Sequence, residues 1–136
     1  MFQVFEHTAD VGLRIRAATL EELLADAARG LFSLLVANLE QIRCVEEAHF
    51  EVSGTEPEYL LVDWLNELLY AFATRGRLYG RFTVRLTTAG LQATAWGEPV
   101  DRARHSLEHE VKAITYHGLQ CRQTTEGWSA EIILDI

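Results

Sequence analysis

The residues best suited to chemistry in this 136-residue chain are carboxylates at the ends of short apolar runs. Asp10 stands at the foot of the alternating run 11–17, and Asp135 with Ile136 closes the apolar run that begins at Trp128. An apolar strand that ends abruptly is expected to be anchored, so the α-carboxylate of Ile136 becomes an ordered anion beside the Asp135 side chain. Two carboxylates about 5 Å apart repel by roughly 3 kcal/mol at an effective dielectric near 20. A third from Asp10 adds to this unless the groups splay into water, one is protonated, or a cation bridges them. Oxygen-only donors suit calcium, magnesium or manganese rather than zinc. Spacing alone leaves a second reading open, in which Asp10 caps a turn and Asp135 is simply exposed, as most aspartates are.

Other chemistries find little footing. No phosphate-cradling GxxxxGK[ST] or GxGxxG run occurs, and no GxSxG elbow. His105 and His109 share a four-residue spacing without an HExxH frame or further zinc ligands, and read as solvated loop histidines. Cys44 and Cys121 lack CxxC partners and read as reduced, small and buried. The net charge of -8 repels phosphate backbones, so contact with RNA is expected only through a partner. The basic residues are eleven arginines and one lysine, Lys112. A lone ammonium in an arginine-biased chain marks a place where a planar guanidinium does not substitute. MFQVFEHTAD has neither a basic start nor an apolar signal stretch, and no run of about eighteen apolar residues follows. The expectation is a cytoplasmic protein with no membrane contact.

The elements that must position these groups follow from periodicity. Alternation predicts strands over 2–6, 11–17, 48–54, 81–88 and 91–97, with HTAD a tight polar connection and AG a hairpin turn. Thr19 and Glu22 form a T-x-x-E capping box ahead of Leu20, Leu23, Leu24, Ala27, Leu31, Leu34 and Leu35. A second helix is expected to be capped by Thr55, with Pro57 early in the first turn and Glu58 three residues after the cap; it carries Leu61, Leu65, Leu68 and Phe72 and stops near 74–76. The stretch 99–110 is polar without period, 110–123 reads as one or two strands, and 128–136 is the last strand after a turn at TTEG. Parity along that strand sends Ala130, Ile132, Leu134 and Ile136 to one face, and Ser129, Glu131, Ile133 and Asp135 to the other. The reading is a single α+β domain over 1–136, a mixed and mostly antiparallel sheet with two helices packed on one face.

Six stretches, FEHTADVGLRIRA, LEELLADAARGLFSLL, EYLLVDWLNELLYAF, GEPVDRARH, EVKAITYHGL and AEIILDI, together resemble the archease family along essentially the whole chain. The resemblance implies a sheet with two helices and a protein that is not itself an enzyme. It implies an activator of the GTP-dependent RNA ligase of tRNA splicing, one that promotes ligase guanylylation and multiple turnover and broadens its nucleotide use. It also implies a bound divalent cation, calcium foremost, with Asp10 of HTAD, Asp135 of the closing LDI and the Ile136 carboxylate as ligands. His7 and Lys112 belong to the same motif set. For His7 the choice is between orienting Asp10 and satisfying turn backbone. For Lys112 it is between contacting a nucleotide phosphate or a ligase carboxylate and being a solvated strand residue. Two rival functions stay open: a metal-dependent phosphoester hydrolase using the same carboxylates, and a metal-independent chaperone-like module.

Overall fold

Apolar alternation and helical periodicity together build two antiparallel sheets and two helices around one continuous core. The computed structural model describes residues 1–7 and 10–136, with His7 described through its backbone alone. Its elements are β1 (Phe2–His7), β2 (Asp10–Ala17), α1 (Leu20–Leu35), a 3-10 turn (Leu39–Gln41), β3 (Glu46–Ser53), α2 (Pro57–Arg75), β4 (Arg77–Leu86), β5 (Gly90–Pro99), β6 (Ala113–Ile114), β7 (Gln120–Thr124) and β8 (Gly127–Asp135). The α+β class follows as expected. The strands divide between a five-stranded sheet, ordered β1-β2-β8-β6 with β7 also on β8, and a three-stranded sheet ordered β3-β5-β4. Every pairing is antiparallel. A division into two sheets is not visible in the sequence, because alternation states that a strand has a buried face but not which neighbour it joins.

The larger sheet turns Val11, Leu13 and Ile15 of β2 and Ala130, Ile132 and Leu134 of β8 into the core. Each helix touches strands of both sheets. α1 is accordingly buried on several sides, at Leu23, Leu24, Ala27, Ala28, Leu31, Phe32 and Leu35. Trp64 of α2 is fully buried and donates its indole N–H to the Leu24 carbonyl at 2.9 Å, which ties the two helices together. The Thr19 hydroxyl accepts from the Glu22 N–H at 3.1 Å, so the first cap forms as read. The Thr55 cap does not. Pro57 occupies the first helical turn, the capping position falls on Glu56, and no side chain caps it. Pro57 brings no N–H to satisfy, so the helix start tolerates the loss. Gly76 ends α2 with φ 61° in the left-handed region, where its N–H reaches the Ala71 and Phe72 carbonyls.

Candidate carboxylate site on the sheet edge

The two sheet registers that matter are those of β1 with β2 and of β2 with β8. Antiparallel pairing sets His7 opposite Asp10, and Asp10 opposite Asp135. β6 continues the row by placing Ala113 opposite Asp135. Residues far apart in sequence thus form one line across four strands. Directly opposed residues project to the same face, with Cβ atoms about 4.5–5.5 Å apart. Alternation fixes which face: Val11, Leu13, Ile132 and Leu134 point inward, so Asp10 and Asp135 stand on the outer face, both half-buried. The parity read from the last strand holds, with one addition: Ile133, on the outer side, is also buried. Neither aspartate makes an ion pair or side-chain hydrogen bond with a described residue.

Lys112 comes to the same edge through its backbone, whose N–H donates to the Asp135 carbonyl at 2.7 Å. Its exposed ammonium has no ion pair among the described residues. Ile136 packs against the core cluster as a half-buried side chain immediately after Asp135. His7 lies on the row by register. The HTAD connection falls on Thr8 and Ala9, outside the described residues, and the choice of roles for the His7 side chain falls there with it.

The outer face behind the row is organised by a missing side chain. A Cβ on Gly12 would lie 2.1 Å from the Phe5 ring, so the ring covers the Gly12 backbone directly. The Arg14 guanidinium stacks 4.6 Å over that ring and pairs with Glu131 at 3.4 Å. This closes the surface behind the aspartates with a neutralised pair.

The donor set can be weighed against a cation directly. Among the described residues no group of three or more His, Cys, Asp or Glu side chains could hold a metal. Asp10 and Asp135 offer two carboxylates and leave the other positions of a six- to eight-oxygen shell to other donors. Hard cations accept such partial sets, completing them with carbonyls, water or a partner's oxygens. Two paired carboxylates are donors of the type a hard cation takes, and they do not make a closed structural zinc site.

A second polar constellation escaped the sequence reading. Glu98 and His105 are both buried. The His105 Nδ1 accepts from the Asp101 N–H at 2.9 Å, which leaves Nε2 to carry the proton and donate to Glu98 at 2.9 Å. Glu98 also accepts from the Arg43 N–H at 2.6 Å and pairs with the Arg104 guanidinium. His105 is therefore a buried, doubly satisfied histidine and not a solvated loop residue; His109 is exposed, as read. Burial pushes the Glu98 carboxyl up, but the hydrogen bonds from Arg104, Arg43 and His105 outweigh it and hold the carboxyl at about 2. The available signal was a lone acid at the end of the apolar strand ATAWGEPV. The network pins the loop that leads to Lys112. Further along, the Glu108 and His109 N–H groups donate to the Leu35 and Leu34 carbonyls at the end of α1.

A profile of the archease protein family matches residues 2–136. Curated relatives include the protein archease of Pyrococcus furiosus, 38% identical over 97% of this chain and 96% of its own. That of Methanopyrus kandleri is 35% identical over 99% of both. The solution structure of Methanobacterium thermoautotrophicum protein 1598 superposes with a TM-score of 0.82 at 30% identity, covering 99% of this chain and 98% of that one. A Thermotoga maritima crystal structure, described as an archease and possible chaperone, shares the fold with a TM-score of 0.67 at 22% identity, covering 100% and 98%. With its fold and nearly its whole length matched, the chain belongs to the archease protein family.

Proposed function

We propose that this archease is a non-enzymatic, cation-binding accessory protein that activates a GTP-dependent tRNA-splicing RNA ligase by promoting its guanylylation and repeated turnover. The reading is supported by family membership and carried by one observation: Asp10 and Asp135 face each other across β2 and β8 without a protein counter-charge among the described residues. In this reading Asp10, Asp135 and the Ile136 carboxylate hold the cation, calcium foremost, with magnesium or manganese as alternatives. The packing of the Ile136 side chain against the core supports an ordered residue immediately after Asp135. The cation supplies charge neutralisation for anionic groups brought to this edge.

The protein's own contribution is positional. The β-ladder sets the two aspartates opposite each other on the outer face, and the Lys112 backbone joins the same edge through its N–H on the Asp135 carbonyl. This acidic edge docks at the mouth of the ligase active site, and the edge itself meets RNA only through the ligase. Lys112 offers a compact cation to a nucleotide phosphate or a ligase carboxylate.

The decisive experiment measures ligase guanylylation with and without the protein, across calcium, magnesium and manganese. Stimulation by the wild type and its loss with Asp10→Ala, at unchanged fold, is the expected result. Full stimulation by Asp10→Ala removes the carboxylate site from the reading. Cation-independent stimulation favours the chaperone-like alternative, and turnover of nucleotides or phosphoesters by the pure protein favours the hydrolase.

A further inference from the structure

The outer face of the five-stranded sheet carries a second polar row at the far end of β2. Register sets Arg16 opposite Ser129, and Ser129 opposite Arg122. The three residues are neighbours in one line across β2, β8 and β7, on one face. Six residues at about 3.3 Å each separate Asp10 from Arg16 along the strand, so this row is roughly 20 Å from the carboxylates. It does not rest on the ligase reading.

Five of the eleven arginines are engaged by a neighbouring side chain, and Arg16 and Arg122 are not among them. Arg14 pairs with Glu131, Arg77 with Glu46, Arg104 with Glu98 and Arg85 with Gln92, while Arg81 lies over Trp96. Arg16 and Arg122 are exposed, and their guanidinium groups have no partner among the described residues; neither does the half-buried Ser129 hydroxyl. All three line a concavity of about 490 Å³ together with Thr124, Trp128 and Glu126. Glu126 pairs with neither arginine, which leaves two cations against one anion there. In a chain of net charge -8, an unneutralised cationic concavity runs against the overall field.

We propose that Arg16, Ser129 and Arg122 form a binding site for a phosphate ester. Two guanidinium forks flanking a hydroxyl donor suit an anion with more free oxygens than one fork can satisfy, whereas a carboxylate is satisfied by one fork. The phosphate can come from a free nucleotide, whose terminal group offers three free oxygens, or from an RNA backbone, whose successive diesters offer two each.

The test titrates the full-length protein at about 50 mM salt with two probes, GTP and a short fluorescein-labelled single-stranded RNA. At least one probe should bind saturably and weaken as salt rises. Arg16→Ala and Arg122→Ala should each lower affinity roughly tenfold or more. Arg122→Lys should recover part of the loss. Binding of GTP alone identifies a nucleotide site, and binding of RNA alone a backbone site. All three side chains lie on the outer face, and circular dichroism confirms that each variant is folded. The proposal is overturned if neither probe binds at low salt, or if binding survives in the folded Arg16→Ala/Arg122→Ala double variant.

Discussion

Replacing Asp10 by asparagine keeps the side-chain shape and removes one charge from the row it shares with Asp135. The cross-strand register puts their Cβ atoms about 5 Å apart, and the same separation serves for the two charges. Their repulsion is then about 1 kcal/mol in water and about 3 kcal/mol at an effective dielectric of 20. Both groups are half-buried and open to solvent on the outer face, so the relief expected from Asp10→Asn is roughly 1–2 kcal/mol. For a chain of this size that raises the unfolding midpoint by roughly 3–6 °C. Cation binding must reverse the order. A ligand at a hundred times its dissociation constant adds about 2.7 kcal/mol to the native state that binds it, and the variant forfeits most of that gain. Urea unfolding in chelator and across a calcium series reads both effects: the variant is more stable without the cation and less stable with it. Added monovalent salt should shrink the difference in chelator by screening the repulsion. If Asp10→Asn is no more stable than the wild type in chelator, or if calcium stabilises both proteins equally, the two carboxylates do not act as a cation-seeking pair.

Glu98→Ala strands the Arg43 N–H, the Arg104 guanidinium and the His105 Nε2–H, and should cost roughly 3–5 kcal/mol by chemical denaturation. Because the folded carboxyl is held at about 2 against an ordinary 4.5, its stabilisation is fully present above 4.5 and is lost as pH falls towards 2. Acid titration of stability should therefore be shallower in the variant over that window; an unchanged slope contradicts the assignment. The Cys121 thiol is pushed up to about 12, first by burial and then by the Glu58 charge. A thiol reagent at neutral pH should label only Cys44, which is partly exposed, in the native protein and both cysteines in denaturant. Native labelling of Cys121 at the rate of Cys44 counts against its burial.

Much of this molecule was legible in its residues. The Thr19 cap, the apolar stripe of α1, the alternation of Val11, Leu13 and Ile15 and the parity of the last strand all report local rules, because capping and side-chain periodicity act within a few residues. The Thr55 cap failed for an equally local reason: Pro57 moved the start of the helix by one residue. His105 was misread although its partners are near in sequence: Glu98 at the end of β5 is seven residues back and the Asp101 N–H four. Nothing in HSLEH signals that the loop folds back to bury a satisfied imidazole.

Composition and periodicity determined the class, the two helices, most of the strands and the candidate acids, since each depends on what a residue does beside its near neighbours. Which residues meet was decided by the tertiary structure alone. Strand register sets Asp10 against Asp135, and Arg16 against Ser129 and Arg122, and register is fixed by the shared burial of inner faces across strands far apart in sequence. A shift of one residue would send both rows inward, so the core that selects the pairing also keeps the acidic and basic rows on the outer face.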